Sequence, residues 1–152
     1  MEGVLRMTRK KYAHFVILAM IFLFFAPFLA FAAKELTAEG AFIRDGRMSS
    51  AEKDGKPLDR LIAYTPESPA FYAFAELHDA PPFTKVRFTW EFVSRRQFIA
   101  EVEVSNENNG SDVFVYSTLT QKADPWPYGV YKVKVFLGDR PEPAAEIDFL
   151  VE

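Results

Sequence analysis

Asp124-Pro125-Trp126-Pro127-Tyr128-Gly129-Val130-Tyr131-Lys132-Val133-Lys134-Val135-Phe136-Leu137 is the stretch on which the reading of the chain turns. Two prolines and a glycine exclude regular structure from its first half. Alternation then begins at once, with Tyr131, Val133, Val135 and Leu137 on one face and Lys132 and Lys134 on the other. Gly138-Asp139 closes the run, and Ile147, Phe149 and Val151 alternate again after a short polar loop. A period of two with one apolar face predicts the last hairpin of an antiparallel sandwich.

Upstream, the same period recurs. Ala70 to Leu77 is bounded by Pro69 and by Asp79-Ala80-Pro81-Pro82; Phe71, Ala73, Ala75 and Leu77 share one face, Tyr72, Phe74 and Glu76 the other. From Thr84 to Phe92, Val86, Phe88, Trp90 and Phe92 point inward while Lys85, Arg87, Thr89 and Glu91 point to water. Phe98 to Val104 resumes the period with Glu101 and Glu103 outward, and Val113 to Leu119 follows the turn cluster Asn106–Ser111. Between Ala33 and Arg60 the signals are mixed. Ala41-Phe42-Ile43 reads as a short first strand, Met48 to Lys53 has no clear period and reads as a mobile loop, and Leu61 to Tyr64 as a short strand. No segment after the amino terminus keeps a helical period, so the expected class is all-β. The expected divisions are 1–32, 33–60 as an N-terminal strand and loop segment, and 61–152 as the sandwich core.

The amino terminus sets the expected compartment. Arg6, Arg9, Lys10 and Lys11 precede an apolar run from Phe15 to Phe31, and Ala30-Phe31-Ala32 places small residues before Ala33. This is the pattern of a secretory signal peptide, a helical segment cut between Ala32 and Ala33. The rival is an uncleaved anchor, because the run nears the ~20 residues of a spanning helix; Pro27 and the Ala-x-Ala site favour cleavage. Either way the domain is exported, to the periplasm, the cell surface or the medium. The chain carries a net charge of −3. Removing residues 1–32 takes away four basic residues and one acidic, which leaves −6. That balance argues against nucleic acid and against electrostatic attachment to anionic lipid, leaving the signal segment as the membrane contact if it is retained. With no cysteine, the domain must hold together by its core alone and cannot be a cysteine-anchored lipoprotein. About 120 residues suffice for a single core.

The turn-Trp90 pattern Asp79-Ala80-Pro81-Pro82-Phe83-Thr84-Lys85-Val86…Trp90, followed by Trp126-Pro127-x-Gly129-x-Tyr131-x-Val133 and a terminal Phe149-x-Val151, resembles the immunoglobulin-like and fibronectin-III-like modules of exported bacterial proteins. The resemblance covers roughly residues 60 to 152 and implies a single antiparallel immunoglobulin-like β-sandwich. It implies Trp90 and Gly129 as structural residues and Tyr131 as a tyrosine corner whose hydroxyl bonds back to nearby backbone. The inter-sheet cysteines of antibody domains are absent; Val133 stands at the place of the second.

Chemistry-bearing motifs are sparse. His78 beside Asp79 is the one histidine after the signal segment, with no Gly-x-Ser-x-Gly elbow to complete a nucleophilic site. Glu101 and Glu103 read as a solvated strand face. The loop from Asn106 to Asp112 has oxygen ligands but not the spacing of a calcium loop, since Tyr116 stands where the final glutamate belongs. Asn109-Gly110-Ser111 is a three-residue glycosylation sequon, and Arg95-Arg96 is too short for a nucleic-acid patch. No catalytic set, metal site or cofactor is expected. Aromatics are the surplus: Tyr72 and Phe74 face outward or pack under the amino-terminal segment, and Trp126 and Tyr128 occupy a turn where one could anchor a partner or a sugar ring. For Trp126 the competing reading is a lid on the open end of the sandwich. The expectation is a non-enzymatic binding module for another envelope or extracellular protein. The alternatives are a small-molecule or glycan binder, or an accessory domain of an envelope enzyme complex.

Overall fold

The computed structural model describes residues 40–107, 109, 112–122 and 124–152. The signal segment, its Ala32/Ala33 junction, and Gly110 and Ser111 of the sequon lie outside the described residues. In chain order the strands are β1 (Phe42–Ser49), β2 (Glu52–Lys53), β3 (Lys56–Pro57), β4 (Ala63–Tyr64), β5 (Ala70–His78), β6 (Lys85–Phe92), β7 (Gln97–Ser105), β8 (Val113–Thr120), β9 (Gly129–Leu137) and β10 (Ala145–Val151), with a 3-10 turn at Val93–Arg95. They form a three-stranded sheet in the order β1-β5-β8, a five-stranded sheet in the order β4-β10-β9-β6-β7, and a small β2-β3 ribbon. All pairings are antiparallel except the short β4–β10 contact.

The opening stretch forms the strand expected of it. Tyr131, Val133, Val135 and Leu137 of β9 are buried, as are Ile147, Phe149 and Val151 of β10 and Val86, Phe88, Trp90 and Phe92 of β6. Phe92, Tyr131 and Phe149 are cross-strand neighbours, so their rings stack in a row, with centroids 4.4 Å and 5.2 Å apart. Phe71 of β5 meets this row from the facing sheet, 5.0 Å from Phe149 and 5.8 Å from Tyr131. The core is therefore aromatic at one end and aliphatic at the other, where Val86, Val135 and Leu137 sit. Burying rings of this size supplies the apolar area that a domain without disulfides needs.

Gly129 opens β9 with φ of +141°, and a Cβ there would lie 2.6 Å from Ser94 Oγ and 2.9 Å from the Phe92 ring. Only glycine fits both the backbone and the gap. Ser94 Oγ instead accepts a hydrogen bond from the Val130 N–H at 2.9 Å, tying β9 to the turn after β6.

Two expectations need correction, and a β-bulge explains each. The first strand runs from Phe42 to Ser49, so Met48 and Ser49 are buried strand residues and not part of a mobile loop. Between Ile43 and Asp45 the register with β5 shifts, which leaves Arg44 unpaired and hides the period of two. Ser49 Oγ lies 2.9 Å from both Ala51 O and Asp59 Oδ1, sharing its one hydrogen between them, and the Tyr64 hydroxyl donates to Ser49 O at 2.6 Å. These bonds hold the following loop onto the sandwich. Burial pushes the Tyr64 phenol well above its ordinary value. Hydrogen bonds from the Ser50 hydroxyl, then from its N–H, hold the Asp59 carboxyl below its ordinary value. In β7 a second shift falls opposite Trp90 and Glu91, so Phe98 does not share the inward face; it is 61% exposed, and Ile99 and Ala100 pack against the core instead.

Candidate binding surface

Each sheet has an outward face, and the two faces differ in chemistry. On the five-stranded sheet the outward positions are charged and paired across strands: Lys85 with Glu103 at 3.0 Å, Arg87 with Glu101 at 3.1 Å, Lys134 with Glu91 at 2.8 Å, and Lys132 with Glu146 at 2.5 Å and Asp148 at 3.6 Å. The Glu146 hydrogen bond raises the Lys132 ammonium pKa and lowers its own. Arg87 lies over the Phe136 ring, 4.3 Å from its centroid. This is a solvated face whose charges satisfy one another, each exposed pair being worth at most about 1 kcal/mol. The carboxylates Glu101 and Glu103 belong to it.

On the three-stranded sheet aromatic rings occupy most of the outward positions of β5 and β8, and charged residues those of β1. Alternation along β5 turns Tyr72 and Phe74 outward, and along β8 it turns Phe114, Tyr116 and Thr118 to the same side. Phe74 stands opposite Tyr116, with the rings stacked at 5.1 Å, and meets Phe114 edge-on at 6.2 Å. From β1, Arg47 pairs with Phe74 in register and lays its guanidinium over the Phe114 ring at 5.4 Å. Phe74 is thereby fully buried, while Tyr72 and Phe114 are half-buried and Tyr116 is exposed. Arg47 also pairs with Asp45 and sits 3.8 Å from Glu76; Arg60 and Arg44 complete this charged margin through Asp45 and Glu76. Arg47 Nε is buried without a hydrogen-bond partner among the described residues. At the far corner Phe42 stacks on His78 at 5.5 Å.

The aromatic residues singled out from sequence thus fall into two groups. Tyr72 and Phe74 share the aromatic face, but Phe74 acts as its floor and not as a contact. Trp126 is half-buried. Its ring stacks on Phe71 at 4.4 Å and its Nε1–H donates to Ser68 O at 2.7 Å, so it covers the open end of the sandwich. Tyr128 beside it is 72% exposed. Among the described residues no ring contact joins the two groups. Phe114, Tyr116 and Arg47 went unmarked in the sequence. The signal was present in Val113-Phe114-Val115-Tyr116, where both faces of one strand are apolar and only one can belong to the core.

The remaining sequence motifs have structural partners. His78 does not pair with Asp79; its Nδ1 lies 2.7 Å from Asp112 Oδ1 and its Nε2 3.1 Å from Glu76 Oε1. The Asn106 side chain is buried and accepts from the Thr84 N–H at 2.8 Å while donating to Pro81 O at 2.9 Å. These two bonds fasten the turn before β6 to the turn after β7. Among the described residues no group of three His, Asp or Glu side chains could hold a metal ion. An open cleft of about 370 Å³, lined by Ser50, Leu61, Tyr64, Pro69 and Glu152 among others, contains none of the aromatic candidates Tyr72, Phe74, Trp126 and Tyr128.

No known protein family matches the chain, and no curated protein matches it in sequence. Among solved structures it is similar to an immunoglobulin-like protein from Pseudomonas aeruginosa, with a TM-score of 0.52 at 14% identity, over 74% of this chain and 96% of that one. Such a likeness speaks to fold alone. The strand order agrees with it: β1, β5 and β8 take the places of A, B and E in the immunoglobulin scheme, and β6, β9 and β10 those of C, F and G. The Tyr131 hydroxyl donates to Pro127 O at 2.8 Å, four residues upstream, which is the bond of a tyrosine corner. The chain has the all-β, immunoglobulin-like sandwich fold.

Proposed function

We propose that the domain is an exported, non-enzymatic binding module that docks another envelope or extracellular protein on the outward face of β1-β5-β8. The observation that carries this reading is the contrast between the two outward faces. One is a closed set of ion pairs, and the other presents Tyr72, Phe114 and Tyr116 over a buried Phe74 with Arg47 at their side. Aromatic side chains and arginine are the groups that dominate protein contacts when desolvated, whereas paired surface charges contribute little. The engagement of both His78 nitrogens by carboxylates supports a non-catalytic role for that residue. The inward stacking of Trp126 favours a protein contact over a sugar platform built on Trp126 and Tyr128.

The test is capture from envelope extract with three baits. These are the wild-type chain, a Tyr72→Ala/Tyr116→Ala variant, and a Lys132→Ala/Glu101→Gln control on the charged face. Wild type and control should retain the same partner, and the aromatic variant should hold it at least tenfold more weakly, as expected when two anchoring rings of more than about 1 kcal/mol each are removed. Equal retention by all three baits would remove the aromatic face as the contact.

A further inference from the structure

We infer that the free edge of β8 pairs with the β8 edge of a second copy of this chain, joining two three-stranded sheets into one. Among the described residues the sandwich has four sheet edges, β1, β4, β7 and β8. An edge strand offers unpaired N–H and C=O groups, and proteins blunt such edges with charges, bulges, prolines or brevity. Three edges here carry such a device. β4 is two residues long, β1 has the bulge at Arg44 and a second arginine at Arg47, and β7 has the bulge opposite Trp90 together with Glu101 and Glu103. β8 has none of these. Val113-Phe114-Val115-Tyr116-Ser117-Thr118-Leu119-Thr120 contains no charge and no proline, and it pairs with β5 through eight consecutive residues without a shift. Among the described residues no strand hydrogen-bonds to its other side, the place that strand D occupies in the immunoglobulin scheme.

The charges at its two ends point to a second copy as the occupant. A two-fold contact must be self-complementary, and directly opposite residues of antiparallel strands share a face, so the axis passes through a residue. With the axis at Ser117, Tyr116 stands opposite Thr118 of the second copy, Val115 opposite Leu119, and Asp112 opposite Lys122, each pair occurring twice. Lys122 is exposed and makes no ion pair among the described residues. Asp112 is exposed and commits one oxygen to His78. A neutral strand flanked by an acid before it and a base after it is complementary to itself when reversed. An axis at Tyr116 would set Asp112 against Thr120 and leave Lys122 without an acid. The pairing does not depend on the partner protein proposed above, and it would make the two aromatic faces continuous.

Sedimentation equilibrium on the full chain in detergent tests this, with β8 variants separating it from association through the apolar run at Phe15–Phe31. Wild type should dimerise. Lys122→Glu should dimerise about tenfold more weakly, as two exposed attractions become two repulsions, and Asp112→Lys/Lys122→Glu should recover the wild-type constant. A monomeric wild type, or a dimer indifferent to Lys122→Glu, would overturn the inference. Because the chain has no cysteine, a second readout is available should the charge variants fold poorly. Mixed Tyr116→Cys and Thr118→Cys chains should cross-link to each other on oxidation, since opposite strand residues lie within disulfide reach; absence of the mixed species would equally overturn it.

Discussion

Trp90→Ala is expected to lower the unfolding free energy by about 3–5 kcal/mol, a large share of the roughly 5–15 kcal/mol that holds a typical domain. The indole is fully buried in β6, edge-on to Phe149 at 6.4 Å, and its Nε1–H donates across the sandwich to Ser117 Oγ of β8 at 3.1 Å. Ser117 is itself buried, so this bond ties the two sheets together from β6 to β8 in a domain without disulfides. Removing either partner alone leaves a buried polar group unpaired. Trp90→Phe and Ser117→Ala should therefore each cost about 1–3 kcal/mol, and the double variant should cost less than their sum. Denaturant melts of the four variants decide it. Strict additivity of the two single changes would mean that the inter-sheet bond contributes nothing.

Tyr131→Ala should cost a comparable ~3–5 kcal/mol, because the ring fills the space between Phe92 and Phe149. Tyr131→Phe should cost only about 0.5–1.5 kcal/mol: the corner bond is lost, but Pro127 is exposed and its carbonyl can take a water instead. Burial also holds the phenol above its ordinary pKa, so the hydroxyl stays a donor through the neutral range. Lys132→Ala, one residue on and facing the other way, removes an exposed ion pair and should change stability by less than about 1 kcal/mol. Equal losses at positions 131 and 132 in the same melts would contradict the face assignment of β9.

What could be read from the sequence was whatever rests on an unbroken period of two. β6, β9 and β10 alternate cleanly, and their inward residues are the buried ones. Where a bulge inserts a residue, the period breaks and the reading fails with it. Arg44 concealed the second half of β1, and the shift in β7 turned Phe98 to solvent. The aromatic face was only half legible for a different reason. Tyr72 and Phe74 stood out in an aromatic run, but their neighbours Tyr116 and Phe114 lie about 40 residues away on a strand that pairs only in the folded chain. Arg47 lay inside the segment read as loop and strand mixed, so its position over Phe114 had no local signal at all. Trp126 was open between partner anchor and core lid. Only the stacking on Phe71 distinguishes them.

The most direct measurement on the central claim is the aromatic ring-proton spectrum of the domain, assigned residue by residue, with and without the protein it captures. The Tyr72, Phe114 and Tyr116 rings should shift or broaden on binding, while Phe136 under Arg87 and the exposed Phe98, both on the five-stranded sheet, stay in place. Shifts confined to Phe136 and Phe98, with the rings of the three-stranded sheet unmoved, would place the partner on the charged face and contradict it.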